Sequence, residues 1–438
     1  MSASPVKIGL CGLGTVGSGV VDIFQASAKL IAKRAAVPVE LAHIGARRDR
    51  PGCDTSAYRV SRDIFEVATD PDIDVVVELI GGTTVARDLV VAALEAGKHV
   101  VTANKALIAE HGNELAALAE SKGLALRYEA AVAGGIPVIK ALRESLAGNR
   151  ISSVAGIING TGNFILTEMS SAGRSFDDVL AEAQALGYAE ADPTFDVDGT
   201  DAAHKLVILA SLAFGIPLAI DGAFTEGINV IEPADLRYAE ELGYRIKHLG
   251  IARRVGDRVD LRVHPTLIPS DSQIANVNGV LNTVMINADA VGEVVLVGPG
   301  AGALPTASSV MGDVVDLARL LGRGQSDPIP VMGVPQSDVA SLPAVPREQV
   351  ESAWYVRLRV EDRPGVMADI TRLLSAEGIS IESLIQRPPK AGSSEVDVVV
   401  LTDNASTGQL DRAWLAIEAL PAVKVAAGRY RVEEFKGE

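Results

Sequence analysis

Residues 6–17 read VKIGLCGLGTVG. Val6 to Cys11 is a run of apolar and small residues without polar alternation, the pattern of a strand buried on both faces. Gly12, Gly14 and Gly17 then follow in G-x-G-x-x-G spacing, and a helical stretch runs to about Arg34. In such a turn the first glycine permits the tight bend and the second lets backbone approach a pyrophosphate. The third lets helix and strand pack closely. Leu13, Thr15 and Val16 fill the same turn, where the free N–H groups and positive end of the helix suit a phosphate. The motif predicts a dinucleotide site formed by residues 12–17.

The surrounding pattern supports this reading. Strands are expected at Val39–Ala46, Asp74–Ile80, His99–Ala103 and Ala125–Glu129, with helices at Ala86–Ala96 and Asn113–Lys122 between them. Gly97 is the expected stop of the first of these helices. Continuous apolar strands alternating with helices make a parallel sheet covered on both faces, so the fold class is α/β with a Rossmann-type, doubly wound dinucleotide domain. The second strand ends in Ala46, Arg47 and Arg48 where an NAD site usually offers an acid to the ribose hydroxyl. Two guanidiniums suit a 2′-phosphate and favour NADP(H), with NAD(H) as the second choice; the plain alternative is a solvated basic turn. Lys105, in T-A-N-K-A after a strand, stands at the carboxyl end of the sheet, where ligands bind; it reads equally as a helix-entry lysine.

From about Pro137 the pattern changes. Strands at Ile151–Ile158, Asp257–Val263 and Ala290–Val297 suggest a mixed α/β substrate and dimerisation domain spanning 137–301. The turn GPGAGALPTA (298–307) opens a helix to about Leu321, which returns residues 302–322 to the nucleotide domain of 1–136. Five prolines between 323 and 350 read as a linker. Residues 351–436 then follow a βαββαβ order, an independent small domain of ferredoxin-like type.

Composition narrows the class. The net charge of −16 excludes a general affinity for nucleic acid, which wants a basic face. The two cysteines, Cys11 and Cys53, cannot build a disulfide framework. The longest apolar run, Leu206 to Ile220, is broken by Ser211, Gly215 and Pro217 and falls short of the ~18 residues of a membrane span. Met1 to Pro5 is short and polar, so no secretory signal is expected and the location expected is cytoplasmic.

Glu190 to Lys205, EADPTFDVDGTDAAHK, packs five carboxylates into sixteen residues before a lysine at the mouth of an apolar helix. Crowded like charges are costly to bury, so a fold has little structural reason for them. Asp201 and Lys205 stand at i, i+4 and share a helix face. The plain readings are a first-turn acid favoured by the helix dipole and a snorkelling lysine. Leu206 to Phe214, however, is apolar on every side, so Lys205 marks the edge of a buried helix and suits proton donation to a carbonyl. An ordinary lysine, with a pKa of ~10.4, is already an ammonium at neutral pH, which favours carbonyl reduction over alcohol oxidation. Glu190 and Asp196 are candidate anchors for a substrate ammonium. EAAVAGGIP (129–137) reads either as a tight backbone crossing or as carbonyls that hold a cation, and NGTGN (159–163) as a turn opening a helix. The six histidines show no metal-ligand spacing.

Taken together, GLGTVG, TANKA, EAAVAGGIP, INGTGNFIL, the Glu190–Lys205 block and GPGAGALPTAS resemble the homoserine dehydrogenase family, in the family's order and over nearly the whole chain. The resemblance implies NAD(P)H-dependent reduction of L-aspartate 4-semialdehyde to L-homoserine, on the route to threonine, isoleucine and methionine. Carried onto this sequence, it makes Lys205 the proton donor beside Asp201, with Lys105 near substrate and cofactor. Glu190, Asp196, Tyr188, Gly160 and Thr161 become substrate-binding residues. Glu129 with the carbonyls of Val132, Gly134 and Ile136 becomes a site for a monovalent cation (Na⁺ or K⁺), and Gly302 approaches the nicotinamide. The last domain resembles an ACT domain, with EDRPGV (361–366) at the effector turn, which implies feedback by an amino acid such as threonine. A monofunctional form, assembled as a homodimer or homotetramer, is expected.

Overall fold

A computed structural model of the chain describes residues 4–389 and 392–435. Part of the polar start, and residue 436 at the expected end of the last domain, lie outside them. The chain forms two compact units. The first is made by the chain up to Ile158, with Asp201–Ala223 and Leu281–Leu342; the second by Asn159–Thr200, Phe224–Val280 and the chain from Pro343 onward.

In the first unit six parallel strands form a sheet: β1 (Val6–Cys11), β2 (Val39–Gly45), β3 (Arg59–Ser61), β4 (Val75–Glu78), β5 (His99–Thr102) and β6 (Leu126–Arg127). Their order is β3-β2-β1-β4-β5-β6, with the reversal of winding between β1 and β4 that defines a Rossmann-type crevice. Leu10, Val75, Val76, Val77 and Val101 are fully buried, which is why these strands read as unbroken apolar runs. Helix Thr15–Ala35 packs on helix Ala303–Leu321 so closely that a Cβ on Gly19 would stand 2.7 Å from the Ala303 carbonyl. The late glycine turn therefore does return the chain to the nucleotide sheet. Strands Ile151–Ile157, Leu281–Ala288 and Gly292–Pro299 form a separate antiparallel ladder.

Several elements of this unit differ from the sequence expectation, among them strands Arg59–Ser61 and Leu281–Ala288, which the sequence pattern does not predict. The helix expected at Asn113–Lys122 begins at Lys105 and runs to Ser121, because the Asn104 side chain caps it by accepting the Leu107 N–H at 3.1 Å. The proline-rich stretch has little regular structure, but 323–342 is bound down. Tyr128 Oη donates to the Val331 carbonyl at 2.8 Å, Arg127 pairs with Asp327 at 2.5 Å, and Glu120 accepts the N–H groups of Val331 and Gln336.

The second unit is built on a sheet in which Tyr244–Val255 pairs antiparallel with Arg258–Pro269. Arg258–Pro269 in turn pairs parallel with Val423–Val432, the last strand of the C-terminal βαββαβ segment. That segment follows the expected order: Glu351–Glu361, helix Val366–Ala376, Ile381–Gln386, Glu395–Thr402, helix Thr407–Glu418 and Val423–Val432. It is not independent of its surroundings. Phe164, Ile165 and Met169 of helix Gly160–Ala172 share one core with Tyr355, Val399 and Tyr430. Beside that core, the fully buried Arg357 grips Asp235 of helix Pro233–Glu241 through two nitrogens, at 2.6 and 3.0 Å. The hydroxyls of Tyr355 and Tyr430 donate to the same carboxylate, each at 3.2 Å, so both Asp235 oxygens are satisfied, while Arg357 Nη1 is left without a hydrogen-bond partner. No described helix is long and apolar enough to cross a membrane.

Candidate active site

The nucleotide turn follows the logic of its glycines. Gly12 has φ of +107°, and a Cβ there would stand 2.6 Å from the Leu79 carbonyl; on Gly17 it would stand 2.0 Å from the Gly12 carbonyl. Both positions admit glycine only. Gly14 is different: a Cβ would meet nothing within 4 Å. The open space over Gly14, with no side chain capping the helix that starts at Thr15, is the cradle a pyrophosphate needs. Arg47 and Arg48, past the end of β2, are exposed and carry no ion pair among the described residues. Gly302 has φ of +116°, a second conformation only glycine adopts easily, directly before its helix.

Lys105, Asp201 and Lys205 come together in the first unit. Asp201 is buried in the first turn of helix Thr200–Phe214. Its Oδ1 pairs with Lys105 Nζ at 2.9 Å and its Oδ2 with Lys205 Nζ at 2.6 Å. Burial alone would raise the Asp201 carboxyl, but the Lys205 and Lys105 ammonium groups outweigh it and hold the carboxyl well below the usual range. Lys205 Nζ also donates to the Ile158 carbonyl at 2.7 Å. An ammonium has three donors, so this geometry leaves Lys205 one N–H for a further oxygen. Helix residues Leu206 to Leu212 are buried, as expected of a lysine placed at the edge of a covered helix.

In the second unit Gly160 and Thr161 open helix Gly160–Ala172, capped by Asn159 Oδ1 accepting the Gly162 N–H at 2.7 Å. Asn159 Nδ2 donates to Asp196 Oδ1 at 2.8 Å, and Thr161 Oγ1 to the Tyr188 carbonyl at 2.8 Å. The structure therefore brings Asp196, Tyr188, Gly160 and Thr161 into one neighbourhood. The Tyr188 ring meets Phe164 edge-on at 5.1 Å. Glu190 lies exposed on the adjoining loop, and its carboxylate has no ion-pair partner among the described residues. Asn159 and the Ile158 carbonyl were missed as functional groups. An asparagine ahead of Gly-Thr-Gly is a cap signal that exposes the first, but a backbone carbonyl leaves no sequence trace.

The turn 129–136 is buried and lies against 299–301. A Cβ on Gly134 would stand 2.5 Å from the Gly300 carbonyl, so the tight-crossing reading holds whatever else the turn does. Glu129 accepts the N–H groups of Ile139 and Lys140 at 2.9 and 2.7 Å. Burial and the neighbouring Asp313 carboxylate push its carboxyl up to about 7. Ser309 donates to the Gly134 carbonyl and the Val138 N–H to that of Ile136, leaving each carbonyl a second lone pair. The buried Glu129 carboxyl, with Asp313 near it, and the remaining carbonyl lone pairs of Gly134 and Ile136 are the groups this turn has to offer a monovalent cation. Among the described residues no cluster of three His, Cys, Asp or Glu side chains could hold a metal.

Three family profiles match the chain: "Homoserine dehydrogenase, NAD binding domain" over 12–129, "Homoserine dehydrogenase" over 137–315 and "ACT domain" over 354–419. A homoserine dehydrogenase of Pseudomonas aeruginosa is 56% identical over 431 residues, covering 98% of this chain and 99% of that protein. One of Neisseria gonorrhoeae is 47% identical over 434 residues, with 98% and 99% covered. The crystal structure of a homoserine dehydrogenase from Thiobacillus denitrificans matches with a TM-score of 0.93 and 48% identity, over 99% of this chain and 100% of that one. A hyperthermophilic archaeal homoserine dehydrogenase in complex with NADPH matches 72% of this chain and 97% of its own, with a TM-score of 0.60 and 27% identity.

The open space over Gly14 makes a selective test. Gly14→Ala should keep the melting temperature of the parent, because its φ of −73° suits alanine, yet weaken NADPH at least ~10-fold by crowding the pyrophosphate. Calorimetric melting and NADPH titration measure the two separately, and unchanged affinity would remove the phosphate from this turn.

Proposed function

The chain belongs to the homoserine dehydrogenase family of oxidoreductases, and from that premise we propose that it reduces L-aspartate 4-semialdehyde to L-homoserine with NADPH. The observation that carries the proposal is the Asp201 carboxylate shared by Lys105 and Lys205, with one Lys205 N–H left over. The bound nicotinamide supplies a hydride to the aldehyde carbon. Lys205 supplies the proton to the aldehyde oxygen, and Asp201 holds the lysine oriented until it does so. Lys105, held by the other oxygen of Asp201, steadies the same charge cluster near substrate and cofactor.

Asp196 and Glu190 are assigned to the substrate ammonium, with Tyr188 beside them. The first-turn N–H groups at Gly160 and Thr161 are assigned to its carboxylate. Glu129 and the carbonyls of Val132, Gly134 and Ile136 are assigned to Na⁺ or K⁺, supported by the buried, acid-rich setting of that turn. The ACT domain supports control by an amino acid, with threonine proposed as the effector. Its core, shared with helix Gly160–Ala172, offers a direct mechanical route for that control. A homodimer or homotetramer in the cytoplasm, serving threonine, isoleucine and methionine synthesis, completes the reading.

Lys205→Ala should lower kcat for semialdehyde reduction by ~10²–10⁴-fold, the usual worth of a positioned acid, while leaving NADPH affinity near the parent value. A variant that turns over like the parent removes the proton donor from the mechanism. The cofactor preference rests on exposed Arg47 and Arg48. Converting both to alanine should weaken NADPH at least ~10-fold more than NADH, because only the former carries the 2′-phosphate. Equal weakening would mean that the arginines do not read it.

A further inference from the structure

Glu78 ends β4 in the middle of the parallel sheet, and its side chain is fully buried. Nothing in the reaction as described uses it. A buried carboxylate is costly unless every lone pair finds a donor, so its partners indicate what it is kept for. Oε1 accepts the N–H groups of Ile80 at 2.8 Å and Gly81 at 3.3 Å, both in the loop that leaves β4. Oε2 accepts the Thr102 hydroxyl at 2.5 Å, across the ladder at the end of β5. Thr102 Oγ1 accepts in turn the Asn104 N–H at 3.0 Å. Asn104 closes the circuit, donating from Nδ2 to the Gly82 carbonyl at 2.6 Å while its Oδ1 caps the helix that begins at Lys105.

One carboxylate thus ties together the loops that follow two neighbouring strands. The loop after β4 also bounds the glycine turn, since the Leu79 carbonyl is the group that a Cβ on Gly12 would strike. The loop after β5 delivers Lys105 to Asp201. We propose that Glu78, acting through Thr102 and Asn104, is a positioning residue that fixes Lys105 relative to the cofactor crevice. The inference rests on the assignment of Lys105 to the reaction. A side chain misplaced by about 1 Å costs ~10²-fold in rate, so a brace of this kind has kinetic value beyond its worth to the fold.

The test uses the hydroxyl between carboxylate and backbone, because removing Glu78 itself risks the fold. Thr102→Val keeps the shape of the strand and deletes the link; Thr102→Ser keeps the link. The expected result is a kcat for Thr102→Val ~10–100-fold below the parent, with the semialdehyde KM changed less than kcat and with Thr102→Ser close to the parent. Adding Glu78→Gln to Thr102→Val should then cost little more, as expected of residues that act as one unit. A Thr102→Val enzyme with the parent kcat, or one whose loss Thr102→Ser shares, overturns the proposal. Lys105→Ala separates the two readings. If Lys105→Ala is impaired while Thr102→Val is not, only the positioning role falls; if Lys105→Ala turns over like the parent, both fall.

Discussion

The chemistry assigned to this chain depends on one buried carboxylate divided between two ammonium groups. Withdrawing Asp201 from water costs several kcal/mol unless both oxygens are paired, and the structure pairs each with a different lysine. The arrangement leaves a net positive charge where an aldehyde oxygen gains negative charge during reduction. It also joins parts of the first unit that are distant in sequence. Lys205 comes from the helix whose first turn holds Asp201, Lys105 from the start of the helix after β5, and the carbonyl that completes the Lys205 geometry from just past strand Ile151–Ile157. Each contact is short, and losing either lysine would leave one oxygen of the buried Asp201 carboxylate without its charged partner.

The nucleotide half was legible because parallel strands covered on both faces show as apolar runs, and because Gly12 and Gly17 answer steric demands while Gly14 leaves the space above the turn open. The Asp201–Lys205 pair was legible because i, i+4 spacing fixes a shared face once the helix is recognised. What escaped were groups whose role depends on distant partners. Glu78 lies inside the expected strand Asp74–Ile80, and nothing in the sequence marks its partners. The Asn104 cap starts its helix about two turns ahead of the expected Asn113. Strands Tyr244–Val255 and Leu281–Ala288 went unread. The first carries Lys247 and His248 in buried positions, so its polar residues do not mark a solvent face. Lys247 is tolerated there because three oxygens surround its ammonium: Asn163 Oδ1, the Val277 carbonyl and Asn278 Oδ1, at 3.2, 2.7 and 3.0 Å. Burial still pulls its pKa down to about 8.

The C-terminal segment was recognisable from its element order but not from its attachments. Arg357 reads as one residue of an alternating strand, yet it is fully buried against Asp235, 122 positions earlier. Such pairs add little net stability over a well-packed apolar core, but removing one partner leaves an uncompensated charge at a cost of ~3–5 kcal/mol. The effect is to fix the ACT domain's sheet in one register on helix Pro233–Glu241. That helix and Gly160–Ala172 share the core that reaches Tyr355 and Tyr430.

The account turns on the carboxylate between the two lysines, and the most direct measurement is the steady-state kinetics of Asp201→Asn in semialdehyde reduction. Asparagine keeps the shape but presents one donor where two acceptors stood, so one lysine must lose its partner. The account predicts a folded enzyme that binds NADPH normally and whose kcat falls at least ~10²-fold. A kcat within a few-fold of the parent would contradict it, because neither lysine would then need the carboxylate to do its work.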